Sequence, residues 1–483
     1  MSKKLMVLGT CSNAGKSLIV AGICRILKNR GYKVAPYKSQ NMALNSFITE
    51  DGLEMGRAQV VQAEAAGVKP DVRMNPILLK PNSDTGSQII LHGEVYGNYT
   101  ASLYYDEKEF FEREAVRALE ELEKDFDYII MEGAGSASEI NLRTKDIVNM
   151  GLAKKVDAPV IIVGDIDRGG VFGALAGTML LFDEDERELV KGIIINKFRG
   201  NIDILKPGLD MIEDIIKRPV IGVVPYMEVD IDDEDSLSMK ERGSKVKGLI
   251  DIVVIRTPRI SNFTDFNAFE QFEGVGVRYV KSPKDVGDPD MIIIPGTKST
   301  MGDLKWLRET GMETRIQKHA SKGKPVFGIC GGYQMLGQYL KDEHGVEGGG
   351  EMKGIGLLPH STEFSESKTR KSQIGKLAKV DGIFSRLSGM EYEGYEIHMG
   401  ISPGFGNIIN EGNIYGTYIH GIFDRSDISS EIINSLMTSK GVEISHEDII
   451  DMDKYKEKQY EILAAKLEKA VDVDKLLEIL GGK

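Results

Sequence analysis

The sequence contains little cysteine and no long hydrophobic run. Its 483 residues include three cysteines, none of them in a CxxC pair, and one tryptophan. So few cysteines exclude a disulfide framework and a structural zinc site, and we expect no protein-bound transition metal. The longest apolar stretch, near residues 173–182, is far shorter than the roughly 20 residues of a membrane-spanning helix. We therefore expect no membrane partner.

Clusters of basic residues are missing as well. The chain has 61 Lys and Arg against 74 Asp and Glu, a formal net charge of -13. Neutralising nucleic-acid phosphates requires clustered basic side chains, so we expect no nucleic-acid partner. Residues 1–8 lead directly into a glycine loop, without a long hydrophobic region or a cleavage site, which predicts a first β-strand rather than a leader. The low cysteine content and the expectation of a strand rather than a leader together predict a cytoplasmic location.

Short runs rich in Val and Ile recur along the chain, and each precedes a helical pattern. This rhythm is typical of parallel sheets covered by helices on both faces. One series lies at residues 5–8, 34–37, 128–131, 160–163, 192–195 and 220–224, and a second at 250–255, 277–280, 291–294 and 326–329. Runs near 395–398 and 414–419 are predicted to extend the second sheet.

We therefore predict an α/β fold with two doubly wound domains, because the chain is too long for one ordinary core. Residues 1–228 form a domain built on a phosphate-binding loop, and residues 229–248 form an acidic linker. Residues 249–483 form the second domain, with a helical tail at 454–480.

A phosphate-binding loop is predicted at residues 9–17, GTCSNAGKS, between the first strand and a helix. In such loops backbone N–H groups surround the phosphates, the lysine reaches the terminal phosphoryl group and the hydroxyl binds magnesium. The spacing is one residue longer than GxxxxGK[ST]. The predicted nucleotide-binding residues are Gly9, Thr10, Asn13, Ala14, Gly15, Lys16, Ser17, Lys38, Asn196 and Lys197.

Glu132 ends a predicted strand, where open α/β sheets bind ligands. With Ser17 it is a candidate to hold Mg²⁺; the alternative is a carboxylate that caps the next turn. Lys38, which also ends a strand, is suited to stabilising a transferring phosphoryl group, although a lone lysine is more often a solvated surface residue.

A second candidate site is the sequence GICGG at residues 328–332, between an apolar run and a helical pattern. Cysteine at a sharp strand-to-helix turn is the thiol form of a nucleophile elbow; the alternative is a small buried core cysteine. Cys330 needs a base, and we predict His420, which ends a β-rich run, with His398 as its rival. The N–H groups of Gly331 and Gly296 are candidates for an oxyanion hole.

With these residues assembled, the chain resembles the cobyric acid synthase family, glutamine-dependent amidases of corrinoid assembly. The first half resembles dethiobiotin-synthetase-like proteins, whose phosphate loops have this longer spacing. The second half resembles class I, triad-type glutamine amidotransferases. The similarity is carried by residues 40–42, 132–135, 139–142, 146–151, 165–172 and 196–200, and by residues 259–266, 356–359, 394–400 and 416–421.

The resemblance implies ATP and Mg²⁺ as cofactors and L-glutamine and a corrinoid as substrates. The corrinoid would be adenosylcobyrinic acid a,c-diamide, amidated at its b, d, e and g carboxylates. Gln40, Asn41 and Asp146 are expected on the substrate side, with a helix cap as the alternative for Asp146. Two other functions stay open: an a,c-diamide synthase of the same architecture, and a nucleotide-switched binding protein with an inactive amidotransferase-like domain. The sequence leaves the oligomeric state open.

Two positions depart from the family pattern. Asn201 stands where the family usually has Asp, and Ile422 stands two residues after His420, where many triad amidotransferases have Glu. Because Ile422 has no polar atom in its side chain, another carboxylate, a carbonyl group or water is expected to orient His420. The third member of the triad is unassigned from the sequence.

Overall fold

The computed structural model describes residues 2–82, 86–231, 248–404, 406–442 and 452–481. The strands of the first half are β1 (Lys3–Gly9), β2 (Val34–Tyr37), β3 (Gln40–Met42), β4 (Ser46–Ile48), β5 (Glu54–Gly56), β6 (Ile77–Pro81), β7 (Gly86–Leu91), β8 (Glu94–Thr100), β9 (Tyr128–Glu132), β10 (Val160–Asp165), β11 (Val190–Phe198) and β12 (Val220–Pro225). Its helices are α1 (Lys16–Asn29), α2 (Arg57–Ala66), α3 (Ala101–Asp106), α4 (Lys108–Leu122), α5 (Met150–Lys155), α6 (Val171–Leu181), α7 (Glu184–Leu189) and α8 (Ile202–Ile216).

The strands of the second half are β13 (Ile250–Ile255), β14 (Val275–Val280), β15 (Met291–Ile294), β16 (Val326–Ile329), β17 (Tyr339–Asp342), β18 (Gly350–Lys353), β19 (Thr362–Lys376), β20 (Glu391–Ile401), β21 (Ile409–Glu411) and β22 (Ile414–Thr417). Its helices are α9 (Thr300–Thr310), α10 (Met312–Ser321), α11 (Gly331–Leu336), α12 (Ser426–Ser439), α13 (Met452–Ala470) and α14 (Val473–Ile479). Among these described helices, none has both the length and the apolar character needed to cross a membrane.

The first half is built on a sheet of six described strands in the order β12-β11-β10-β1-β9-β2, all paired in parallel. Side chains of β1 alternate between two cores: Leu5 and Val7 pack on one face, and Met6 and Leu8 pack on the other. Both faces are therefore covered, which explains why these strands are continuous apolar runs.

The second half repeats this plan with the order β14-β13-β15-β16-β22-β21. Its strands are parallel except β21, which pairs antiparallel with β22 at the edge. The predicted fold class, α/β with two doubly wound sheets, is confirmed.

The run at residues 395–398 does not extend the second sheet, contrary to the prediction. It lies in β20, which pairs antiparallel with β19 in a separate four-stranded sheet, β18-β17-β19-β20. Alternating polar and apolar residues in β20 suit a sheet that is exposed on one face rather than buried on both. Among the described residues, an isolated bridge between Tyr395 and His420 links β20 to the segment that follows β22.

The helical tail returns to the first half of the chain, although the sequence assigned it to the second domain. Leu463 and Leu467 of α13 pack with the core beneath α1, and Gly222 bridges to Val471. The buried Arg25 of α1 is held by Glu457 and Glu461. The tail thus covers apolar surface of the first sheet. Of the predicted linker at 229–248, residues 232–247 lie outside the described residues.

We expect Leu467→Ala to destabilise the first half, because Leu467 is 1 % exposed and packs directly against Gly22. Truncating a buried leucine costs about 2 to 5 kcal/mol of unfolding free energy. The change is measured as the urea midpoint of the first unfolding transition. Lys469→Ala, at an exposed position of the same helix, is the matched control and should leave that midpoint nearly unchanged. Equal midpoints for the two variants would contradict this packing.

Candidate functional site

The phosphate loop forms a tight turn between β1 and α1. Gly15, directly before the helix, has φ 94°, a left-handed conformation that favours glycine. Lys16 Nζ donates to the carbonyl oxygens of Gly135 (2.9 Å) and Cys11 (3.3 Å). Asn196 Nδ2 donates to Ala14 O (2.9 Å), and a Cβ atom on Gly15 would collide with this amide. The loop is therefore built against the end of β11.

Lys197, which follows Asn196, also contacts the loop. Its Nζ donates to Asn13 O (2.7 Å) and pairs with Asp165 Oδ2 (3.0 Å). The structure therefore brings together the loop and both predicted residues of β11.

Glu132 is the centre of a buried polar cluster at the end of β9. Its Oε1 accepts from Ser17 Oγ (2.9 Å) and Lys38 Nζ (3.0 Å), and its Oε2 accepts from Gln62 Nε2 (2.5 Å). The structure thus brings Ser17, Lys38 and Glu132 together. Gln62 was missed, because nothing in its local sequence distinguishes it from the other residues of α2.

The donor set at this cluster fits Mg²⁺ bound to a nucleotide. Ser17 and Glu132 supply a hydroxyl and a carboxylate oxygen side by side. Among the described residues, no group of three or more His, Cys, Asp or Glu side chains is placed to hold a metal. Mg²⁺ typically takes one or two protein ligands and completes its shell with phosphate oxygens and water.

An open cavity of about 540 Å³ lies beside the loop, and Thr10, Gln40 and Asp146 are among its lining residues. Gln40 Oε1 accepts from Lys108 Nζ (3.2 Å). Asn41 is not among the described residues that line this cavity. Successive residues of a strand point to opposite sides, and Asn41 is buried, where its Nδ2 donates to Gln59 Oε1 (3.1 Å).

Asp146 is a carboxylate at this cavity. It lines the cavity and also accepts the backbone N–H groups of Val148 (2.9 Å), Asn149 (2.8 Å) and Gly151 (2.9 Å) before and within α5. Its orientation is therefore fixed by capping.

Asn201, the first departure from the family pattern, caps α8 by accepting from the N–H of Asp203 (2.9 Å).

Cys330 lies at a strained turn between β16 and α11. Its φ of 48° and ψ of -107° are unusual for a residue with a side chain. A Cβ atom on Gly332 would collide with Ile294 O, and one on Gly328 would lie 2.6 Å from Leu336. The glycines of the GICGG sequence are therefore required because neighbouring atoms leave no room for a side chain at these positions. Cys330 Sγ lies 3.6 Å from Ile397 O and faces a cavity at the interface of the two halves.

His420 follows β22, is hydrogen-bonded to Asp265 and lines the same cavity as Cys330. Its Nδ1 lies 2.7 Å from Asp265 Oδ2, and Asp265 Oδ1 accepts from Gly421 N (3.0 Å). Burial lowers the pKa of His420, but the Asp265 carboxylate and the Cys330 thiol outweigh burial and raise this pKa to about 10. A protonated imidazole is therefore favoured at this cavity, which Cys330 also lines.

Asp265 is the carboxylate that the sequence left unassigned. It lies in the 3-10 turn at Phe263–Gln271, after β13. Three strands of one parallel sheet, β13, β16 and β22, therefore deliver Asp265, Cys330 and His420 to one edge. The sequence signal that could have identified Asp265 was a carboxylate soon after a predicted strand, in a stretch that resembles the family. Ile422 is 1 % exposed and packs in the core.

The rival histidine, His398, has both ring nitrogens engaged away from the thiol. Nδ1 contacts Gly400 O (2.7 Å), Nε2 contacts Glu396 Oε2 (3.1 Å), and the ring stacks on Tyr418. The geometry thus favours His420 as the partner of Cys330.

The two predicted oxyanion glycines lie beside this pair. A Cβ atom on Gly296 would be 2.9 Å from His420 Cε1, and one on Gly331 would be 3.1 Å from Thr297 N. The turn after β15 therefore packs directly against the start of α11 and the imidazole.

One small sheet of the first half borders both cavities. Its strand order is β3-β6-β7-β8, with β3 and β6 parallel neighbours. Gln40 of β3 lines the cavity beside the phosphate loop, and Lys80 of β6 lines the cavity of Cys330. Tyr395 Oη also donates across the interface to Ser46 O (3.0 Å). Residues of this one sheet therefore line both cavities.

Comparison with known proteins agrees with this two-part organisation. Residues 5–237 match the CobQ/CobB/MinD/ParA nucleotide binding domain, and residues 251–428 match the CobB/CobQ-like glutamine amidotransferase domain. The chain is 57% identical to the cobyric acid synthase of Ruminiclostridium cellulolyticum, over 99% of this chain and 97% of the relative. It is 53% identical to that of Lachnoclostridium phytofermentans, over 99% of both chains.

A third relative, the cobyric acid synthase of Caldanaerobacter subterraneus, is 47% identical over 99% of both chains. Such identities extend over both halves and both cavities. The chain therefore belongs to the cobyric acid synthase family, the glutamine amidotransferases of cobalamin biosynthesis.

Proposed function

We propose that this protein amidates the b, d, e and g carboxylates of adenosylcobyrinic acid a,c-diamide, using ATP and glutamine, to give adenosylcobyric acid. The observation that carries the proposal is the presence, in one chain, of a phosphate loop and a Cys330–His420–Asp265 arrangement, each beside a cavity that one small sheet helps to line. One cavity is suited to activating a carboxylate, and the other to releasing ammonia.

Carboxylate activation is assigned to the first half. A carboxylate is a poor acyl donor at neutral pH, so its oxygen attacks the γ-phosphorus of ATP, forming an acyl phosphate and releasing ADP. Lys16 and Lys38 stabilise charge on the transferring phosphoryl group. Mg²⁺, held by Ser17 and Glu132, would neutralise phosphate charge when it is bound. Asn196 and Lys197 hold the loop from the end of β11.

Ammonia release is assigned to the second half. The Cys330 thiolate attacks the side-chain amide carbon of glutamine, the C–N bond breaks, and His420 protonates the departing nitrogen. Water then hydrolyses the glutamyl thioester to glutamate. Asp265 holds the imidazole in position, and the N–H groups of Gly331 and Gly296 stabilise the oxyanion.

Ammonia must then reach the acyl phosphate before it takes up a proton, because ammonium is not a nucleophile. Passage across the interface, past the small sheet, meets this requirement by excluding bulk water. Attack of ammonia on the acyl carbon forms the amide and releases phosphate.

The division of labour is tested with Cys330→Ala and Lys16→Ala. Cys330→Ala should lose glutamine-supported amidation and keep amidation with high ammonium, because the synthetase cavity is intact. Lys16→Ala should lose both reactions, because neither nitrogen source replaces phosphoryl stabilisation. Amide formation on the corrinoid is followed by mass spectrometry. Equal loss with both nitrogen sources in Cys330→Ala would contradict the assignment.

Asp265→Asn tests the third member of the triad. Removing the carboxylate lowers the pKa of His420 from about 10 and removes support for its orientation, so glutamine hydrolysis should fall roughly 10²- to 10⁴-fold. Ammonium-supported amidation should stay near the parent rate. Alkylation of Cys330 by iodoacetamide at neutral pH, followed on its peptide, should slow because the sulfur loses its imidazolium neighbour. Unchanged hydrolysis would exclude this role for Asp265.

The substrate is tested by comparing cobyrinic acid with its a,c-diamide. Activity on the a,c-diamide alone is expected. Amidation of the a and c carboxylates of cobyrinic acid, with no further reaction, would indicate the a,c-diamide synthase instead. A lack of any glutamine hydrolysis would favour a binding protein with an inactive amidotransferase-like domain.

A further inference from the structure

The cavity of Cys330 carries charged groups that the thiol chemistry does not use. Lys80 reaches it from the first half of the chain, and Lys298, Glu347 and Lys368 line it from the second half. Charges at such an interface are costly unless they are paired or serve a ligand.

Two of these lysines share one carboxylate. Glu54, which is fully buried in the first half, accepts from Lys80 Nζ (2.7 Å) and Lys368 Nζ (2.6 Å). Both lysine side chains are 6 % exposed. Burial lowers the pKa of Lys368 to about 7; Glu54 opposes this effect, and the Lys80 and Lys298 cations add to it. Three lysines that line this cavity thus lie near one fully buried carboxylate, and an anionic ligand group would reduce the repulsion between them.

Lys298 is the cation of this group without a carboxylate partner: none lies within 4 Å among the described residues. Its Nζ donates to Gln88 Oε1 (3.3 Å), a neutral acceptor that Lys368 shares at 3.4 Å. Gln88 belongs to β7 of the first half. The first half therefore positions Lys298 but leaves its charge available to a ligand.

Glu347 supplies the opposite charge to the same cavity. It accepts from the N–H of Met301 (3.3 Å) near the start of α9, and no cation pairs with it within 4 Å in the described part of the chain. Burial raises the pKa of Glu347 to about 7, and Lys298 opposes this effect. A lysine and a carboxylate that face one cavity without direct contact complement a zwitterion.

We propose that Lys298 and Glu347 bind the α-carboxylate and the α-ammonium group of glutamine, and that Gln88 and the Glu54–Lys80 pair of the first half complete this site. The inference rests on the glutaminase function proposed above. The side-chain amide then lies at Cys330 with the charged end of the amino acid toward Lys298. Glutamine binding consequently depends on the contact between the two halves.

The test uses the full chain and two substrates, L-glutamine and L-glutaminamide, which has a neutral amide in place of the α-carboxylate. Hydrolysis of the side-chain amide is quantified by mass spectrometry as glutamate or isoglutamine. Lys298→Met should lower kcat/KM for glutamine roughly 10- to 100-fold, mainly through KM, because a charge-assisted hydrogen bond is lost. It should change kcat/KM for glutaminamide little, so the preference for glutamine shrinks.

Glu347→Gln distinguishes the two ends of the ligand. Both substrates carry the α-ammonium group, so this variant should raise KM for both by a similar factor. Gln88→Leu should act like Lys298→Met but more weakly, since it removes the positioning of the lysine. Lys305→Met, an exposed lysine of α9 (67% side-chain exposure), is the matched control and should leave both substrates unchanged.

The ratio of the two kcat/KM values does not depend on how much of a preparation is folded. If Lys298→Met lowers both values equally, Lys298 does not bind the α-carboxylate. If Glu347→Gln changes glutamine alone, the proposed orientation is overturned. If the parent protein hydrolyses neither substrate, the glutaminase function itself fails, and this result is separate from the outcomes for Lys298 and Glu347.

Discussion

The hydrogen bond between His420 and Asp265, 2.7 Å long, is the contact on which the amidotransferase half depends. It joins residues delivered by different strands of one parallel sheet to the same edge. Without it the buried imidazole would lose its carboxylate counter-charge, and burial would favour its neutral form more strongly. With it, the imidazolium is favoured beside a sulfur atom that a strained turn holds at the cavity wall. The fold thus sets the position of the candidate nucleophile and the charge of the imidazole beside it.

The second constraint is the interface between the halves. In the proposed function, ammonia made in one half is consumed in the other, so the two sites must stay close together. Buried contacts join the halves close to Cys330: Glu54 with Lys368 (2.6 Å) and Tyr395 with Ser46 (3.0 Å). The tail helix α13, which follows the second half in the chain, packs against the first sheet and joins the two halves again. In the proposed function, this interface keeps the site that releases ammonia and the site that consumes it at a fixed separation.

Much of the fold could be predicted because buried parallel strands are continuous runs of Val and Ile, as in β10 and β13. β20 could not be assigned to its sheet, because an alternating pattern does not identify the partner strand. The tail shows an amphipathic pattern, which indicates a buried face but not the surface that it covers. Glycine spacing identified the turns at Gly15 and Cys330, since close backbone approach requires small residues there.

The candidate sites were predicted less completely. Asp265 is 155 positions away from His420 in the chain, and only topology brings them together. Gln62 and Glu347 have ordinary local sequences, and their importance follows from what they face. Gln40 and Asn41 are neighbours in sequence, yet strand geometry sends one to the cavity and the other into the core. Sequence patterns thus identify residues at turns better than residues that reach a site across the fold.

The central claim is that nitrogen released at Cys330 passes within the protein to carboxylates activated at the phosphate loop. The most direct test is amidation of the corrinoid a,c-diamide with ATP and glutamine labelled with ¹⁵N in its side-chain amide, in the presence of excess unlabelled ammonium. The account predicts four successive acid-to-amide changes, with ¹⁵N retained in the new amides. Incorporation of nitrogen in proportion to the bulk ammonium pool would contradict passage within the protein, and the absence of amidation would contradict the proposed function.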